Sequence, residues 1–203
     1  RFPGAPDDDP WQHRPNDPSY KGQWNLFSHI PPQSQGELSD FERGAGSGIS
    51  ADKAWQLHVG TPDTVIAILD SGIYWNKQDL LSRFRLNQAE LPLPSNSATY
   101  DTNGDGTFTV DDYANDERVV DYNNNGLLDP EDIIFAFSNN RDEDDNGYVD
   151  DICGWDFHED DNNPYDRIRF GHGTGEAILS VGTINNGTGS AGVCGRCSFI
   201  PLR

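Results

Sequence analysis

Five consecutive apolar residues, Val65-Ile66-Ala67-Ile68-Leu69, run between Pro62 and Gly72 and end directly on a carboxylate, Asp70. The run is short for a helix, and its composition suits a strand buried on both faces of a parallel sheet. Strands of open α/β sheets aim their carboxyl ends at the crevice where ligands bind. Asp70 is thus delivered to a working edge, and Gly72 lets the chain turn sharply after it. Taken alone, the same aspartate serves equally well as the cap of the following turn. A second stretch favours chemistry. In Phe170-Gly171-His172-Gly173-Thr174-Gly175-Glu176-Ala177-Ile178-Leu179-Ser180-Val181, the apolar residues Ala177, Ile178 and Val181 recur at helical spacing, which puts His172 at a helix start. A carboxylate ending a strand and an imidazole opening a helix are two parts of a charge-oriented general base. The first fixes the tautomer and the second takes a proton from a nucleophile.

Asp70-Ser71-Gly72 followed by Gly171-His172-Gly173-Thr174 resembles the first two signatures of the subtilisin-like serine proteases, in that family's order of Asp, His and then Ser. Asn16-Asp17-Pro18-Ser19-Tyr20-Lys21-Gly22-Gln23-Trp24-Asn25-Leu26 is similar to the segment that enters the catalytic domain in many of them. The resemblance implies a three-layer α/β/α fold on a parallel sheet, a protein or peptide substrate and secretion. It also implies that Asp70 orients His172, with His172 acting as general base and then general acid.

Such an enzyme needs a serine nucleophile and an oxyanion donor, often an asparagine. Neither signature is present. Ser190, in Gly189-Ser190-Ala191, precedes a strand instead of opening a helix and is rejected. The serine and the oxyanion asparagine are therefore expected in the remainder of the peptidase domain, beyond Arg203 or on another chain, and these 203 residues are expected to be an inactive fragment. Gly175-Glu176-Ala177-Ile178 departs from the His and small residues that commonly follow the family's histidine motif. The rival reading is a calcium-dependent binding or adhesion module on an inactive protease scaffold.

The formal charge of −20 is unevenly spread: residues 101–166 hold 21 acidic and 2 basic side chains. Self-repulsion of that density calls for neutralisation, and multivalent cations on oxygen ligands are the simplest source. Asp101, Asn103, Asp105, the carbonyl of Thr107 and Asp112 fit positions 1, 3, 5, 7 and 12 of a calcium loop with Gly106 at position 6. Asp121, Asn123, Asn125, Leu127 and Asp132 repeat that pattern 20 residues on. Phe108 and Leu128 fall at position 8, where paired EF-hand loops make a short β-contact. Aspartate at position 12 and the lack of a helix leading into the first loop point to dockerin-like structural sites rather than sensors. A third run offers Asp142, Asp144, Asn146, Tyr148 and Asp150, but its position 12 is Cys153, so a further ligand must come from elsewhere. It resembles a calcium-bearing insertion found before a Gly-Trp-Asp-Phe strand in some subtilisin-like proteases. The resemblance implies one more site, built from Asp17, Asp79, Asn186 and the carbonyls of Thr183, Thr188 and Ser190, tying the N-terminal segment to the catalytic core.

Residues 1–48 read as an arm and loop, 101–166 as an acidic insertion, and 1–203 as the N-terminal portion of one peptidase domain. Ser50 is placed as the N-cap of a short helix over 51–58, the helix at His172 is expected to stop near Gly182, and a strand is expected at 199–202. No apolar run is long enough to cross a bilayer. An acidic surface disfavours nucleic acid and anionic membrane as partners. Arg1 implies processing or a longer parent chain. Cys194 and Cys197 form a local disulfide or remain ordinary thiols, while zinc ligation lacks a second cysteine or histidine pair. Gly187-Thr188-Gly189-Ser190-Ala191-Gly192 matches Gly-x-Gly-x-x-Gly, but in the order helix, loop, strand, which a nucleotide site does not use.

Overall fold

The structure, a computed structural model, describes residues 15–26 and 48–203. The readings of residues 1–14 as an arm and of 29–47 as a loop lie outside the described residues. Two 3-10 turns, Pro18–Gly22 and Trp24–Leu26, lead in. They are followed by α1 (Ala51–Ala54), β1 (Val65–Leu69), α2 (Pro130–Phe137), α3 (His172–Val181) and β2 (Ser198–Leu202), with further 3-10 turns between β1 and α2. β1 and β2 pair in parallel from Val65 opposite Ser198 to Leu69 opposite Leu202. Parallel pairing requires a crossover, and here the crossover carries the whole acidic segment and α3, giving an α/β arrangement.

Pro201 sits inside β2, where proline removes a ladder donor. The loss falls on the far side from β1. Residues Ser198 and Leu202 bond Thr64 and Asp70 of the β1 side, whereas Phe199 and Pro201 turn their carbonyls to Arg85 and Trp155. The expected Gly-Trp-Asp-Phe strand is short: Trp155 bridges Leu202 in parallel, the Trp155 and Phe157 N–H groups donate to the Pro201 and Arg203 carbonyls, the Arg203 N–H donates to the Trp155 carbonyl, and Asp156 pairs with Asp161. Gly154 allows even this approach: its φ is +84°, and a Cβ there would lie 1.9 Å from the Pro201 carbonyl oxygen. The carboxyl end of β2 is held by Arg203, whose guanidinium meets the buried Asp156 carboxylate and, at 3.2 Å, Glu159.

Three expectations are corrected. β1 is not buried on both faces: Val65 is 43% and Leu69 72% exposed, because among the described residues it has one strand neighbour. The helix over 51–58 shortens to four residues, and Ser50, at φ +61° in the left-handed region, makes no side-chain cap. The chain there loosens into turns through His58. The EF-hand β-contact between Phe108 and Leu128 does not form among the described residues. Both side chains instead pack against the main core.

That core is shared. Val110, Tyr113, Ile133, Ile134, Phe137 and Ile152 of the acidic segment join Ile68, Ile73, Trp75, Phe84, Ala177, Val181 and Phe199 in one cluster. Burial of these side chains drives folding, and each is worth roughly 1.5–3 kcal/mol for the larger aliphatic and aromatic ones. Tyr20, Leu26, Ala51, Trp55 and Ala191 form a second cluster that seats the N-terminal segment. Cys194 and Cys197 are joined in a disulfide, and Cys153 is free, with burial pushing its thiol up.

Candidate active site

Asp70 follows the last residue of β1, its N–H donating to the Leu202 carbonyl at 3.0 Å. The Ser71 N–H donates to Asp70 Oδ1 at 2.7 Å and helps fix the carboxylate. His172 is the first residue of α3. Two contacts hold that helix start against the end of β1: the Tyr74 N–H donates to Thr174 Oγ1 at 2.9 Å and the Gly173 N–H to Ser71 Oγ at 3.2 Å. Gly173 permits the approach, since a Cβ there would stand 2.6 Å from the Gly72 carbonyl oxygen and 3.0 Å from Asp70 Cβ. Asp166, wholly buried, accepts the N–H groups of Phe170 at 3.2 Å and Gly171 at 2.5 Å and shapes the entry to the helix.

The two candidate catalytic side chains meet. His172 Nδ1 lies 2.7 Å from Asp70 Oδ2, across 102 residues of sequence. The Ser71 N–H first, and then the His172 imidazole, hold the Asp70 carboxyl below the usual carboxylate range. An ionised carboxylate only accepts, so Nδ1 carries the ring proton and Nε2 is left as the basic nitrogen. Nε2 faces outward, 3.9 Å from Glu176 Oε1, with Phe170 stacked on the ring at 5.8 Å between centroids. The His172 side chain is 54% exposed, so a nucleophile can reach Nε2. The arrangement is able to take up and return a proton.

A second cluster joins Asp17 and Asp79 to the loop after α3. Asp17 Oδ2 accepts the Asn185 N–H at 2.9 Å, and Asp79 Oδ1 and Oδ2 accept from Asn186 Nδ2 and the Ser190 N–H, both at 2.9 Å. The Asp79 carbonyl accepts from Thr183, and the Thr188 N–H donates to Asn186 Oδ1. All six residues expected around one calcium are thus gathered. Asp17 Oδ1 is buried with no hydrogen-bond donor, and burial pushes the Asp17 carboxyl up. An orphaned carboxylate oxygen beside a second buried carboxylate fits a hard cation.

The acidic loops fold alike. Asp101 accepts from Gly104 and Gly106, Asp121 from Asn125 and Gly126, and Asp142 from Asn146 and Gly147. Asn103, Asp105, Asn123, Asn125, Asp144 and Asn146 each accept the N–H two residues on, Thr107, Leu127 and Tyr148 among the donors. Asp112 and Asp132 close their loops on the N–H groups of Thr102 and Tyr122, and each also accepts the N-cap N–H of the element it sits in, Thr109 before a 3-10 turn and Asp129 before α2. In the third loop Asp150 is drawn to the N–H groups of Asn139 and Asn140. Among the described residues, carboxylates gather three at a time in two overlapping groups: Glu90 with Glu143 and Asp150, and Glu90 with Asp144 and Asp151. The sequence reading missed Glu90 and Asp151. Asn87-Gln88-Ala89-Glu90 has the form of a capping box, the one local signal at that site, but nothing in it points to a loop 52 residues later.

No curated protein matches the chain. A sequence model of the subtilase family matches residues 61–203, which include β1, Asp70, the acidic segment, His172 and β2. The chain therefore belongs to the subtilase family of serine peptidases.

Proposed function

We propose that this chain is the N-terminal part of a secreted, calcium-binding subtilisin-like endopeptidase, with Asp70 and His172 as two members of an Asp-His-Ser triad. The observation that carries the reading is the 2.7 Å contact between Asp70 and His172 Nδ1, on an imidazole that is half exposed. In the reaction, His172 Nε2 takes the serine hydroxyl proton as the oxygen attacks the peptide carbonyl, then hands it to the leaving amine. Asp70 stays ionised and stabilises the imidazolium. The serine and an oxyanion asparagine come from sequence beyond Arg203 or from another chain, which completes the three-layer fold over the exposed face of β1. Until then these residues are inactive by themselves.

Asp17, Asp79, Asn186 and the carbonyls of Thr183, Thr188 and Ser190 hold one calcium, and the loops at Asp101, Asp121 and Asp142 hold others, as a dockerin-like insertion. When bound, calcium supplies positive charge beside the Asp17 and Asp79 carboxylates.

The test is peptide hydrolysis by the protein expressed with its downstream sequence. His172→Ala and Asp70→Asn are each expected to lower kcat by about 10⁴-fold or more with the fold intact by circular dichroism. Cleavage unaffected by His172→Ala would overturn the assignment, and a folded protein that binds peptides without cutting them would favour the adhesion module.

A further inference from the structure

The first two acidic loops end on a carboxylate that reaches back to the N–H of loop position 2: Asp112 to Thr102 and Asp132 to Tyr122, both at 2.7 Å. The third loop has no such residue. Its position 12 is Cys153, wholly buried in the core. The N–H of its position 2, Glu143, instead donates to Glu90 Oε1 at 2.9 Å, and the Asp144 N–H reaches the same oxygen at 3.3 Å. Glu90 is only 3% exposed, and its other oxygen, Oε2, is buried without any hydrogen-bond donor.

A buried carboxyl oxygen in that position is costly to leave unmatched. One carboxylate oxygen each from Glu90, Asp144 and Asp151 lie within 4.8 Å of one another. That spacing is about the span across a calcium coordination sphere, whose oxygens sit at roughly 2.4 Å from the ion. The donors are hard oxygens with no thiolate or imidazole, which selects calcium over zinc or copper. Where a cation is wanted, the structure puts the weaker positive charge of an amide: Asn87 Nδ2 bridges Asp144 Oδ2 at 3.0 Å and Asp151 Oδ1 at 2.7 Å.

We propose that Glu90 is the missing ligand of the third loop, donated from a 3-10 turn 52 residues upstream, and that Glu90 Oε2 with Asp144 and Asp151 forms the carboxylate core of a calcium site. The proposal rests on the reading of residues 142–153 as a calcium loop and identifies what completes it. It gives the ion a mechanical task. Glu90 is flanked by Leu86 and Leu91, both in the main core, and the Asn87 N–H donates to the Ile152 carbonyl. An ion here ties the loop to the segment that follows Phe84, and through Trp155 to the outer side of β2.

The experiment compares the wild-type chain with Glu90→Gln and Asp144→Asn, each stripped of metal and titrated with calcium by calorimetry and with terbium by sensitised emission. Tyr148, whose ring lies 5.1 Å from that of Trp155, and Trp155 itself serve as antennae beside this loop. Glutamine keeps the oxygen that accepts from Glu143 and Asp144 but loses the charge. Glu90→Gln is expected to weaken one calcium by at least about tenfold, with the metal-free melting temperature within about 2 °C of wild type. Asp144→Asn is expected to affect the same ion. If Asp144→Asn loses an ion and Glu90→Gln does not, the role of Glu90 fails and the loop reading stands. If neither variant changes the titration, the loop itself binds nothing and both readings fall. A Glu90→Gln variant that melts lower by the same margin with and without calcium marks Glu90 as a structural residue and overturns the proposal.

Discussion

At the scale of single residues, the molecule depends on close approaches that tolerate no substitute. Gly154 is the sharpest. Its φ of +84° and the 1.9 Å that would separate an added Cβ from the Pro201 oxygen mean that Gly154→Ala must either push the Trp155 segment off β2 or strain both. The two penalties together give an expected loss of about 3 kcal/mol, measurable by urea unfolding. A substitution there that left stability unchanged would show that the bridge between Trp155 and Leu202 contributes little. The Asp70 and His172 pair was legible from the residues around it, because glycines and small side chains crowd both motifs and mark where backbone comes close. Glu90 was not legible. Its partners are chosen by tertiary packing of Leu86 and Leu91, and local sequence carries no trace of a contact made across half the acidic segment.

Among elements, β1 and α3 lie where the apolar run, the helical spacing and flanking glycines put them, β2 covers the strand expected at 199–202, and α3 ends at Gly182 as expected. α1 does not, because Ser50 enters the left-handed region and the turn after Ala54 is set by Trp55, which buries its ring on Tyr20. The turns inside the acidic segment have a clamp of their own. Asp116 takes the Ser95 N–H and hydroxyl at 2.8 and 2.9 Å and the Arg118 guanidinium at 2.6 and 2.9 Å, joining two loops that no regular element connects. Arg118 beside it holds the Asp116 carboxyl far below the usual range. In the unfolded chain that carboxyl titrates near its ordinary value of about 3.9, so the folded state binds fewer protons below it. The stabilisation is complete above that value and fades as pH falls toward the folded one. Asp116→Asn is expected to cost about 2 kcal/mol at pH 7, discounted because Arg118 is 42% exposed, and clearly less at pH 3. Equal losses at the two pH values, read from urea curves, would remove the ion pair from the account.

For the molecule as a whole, residues 15–26 are held by polar clasping at Asp17 and by the small cluster around Tyr20 and Trp55. A ligand that binds only the folded form stabilises it by mass action, about 2.7 kcal/mol at a hundred times its dissociation constant. Calcium is therefore expected to raise the melting temperature by about 5–10 °C, reversed by EDTA, with Asp17→Asn removing part of the gain. A melting curve indifferent to EDTA would count against every calcium assignment made above. The composition announced the charge of residues 101–166 but not their share in the core, since a run so acidic reads as solvated surface until Val110, Tyr113, Ile133 and Phe137 are seen beside Phe199 and Ile73. That sharing forbids treating the segment as a cassette. Swapping it out, or trimming it toward a minimal scaffold, would hollow the interior against which the aspartate and the histidine are aligned.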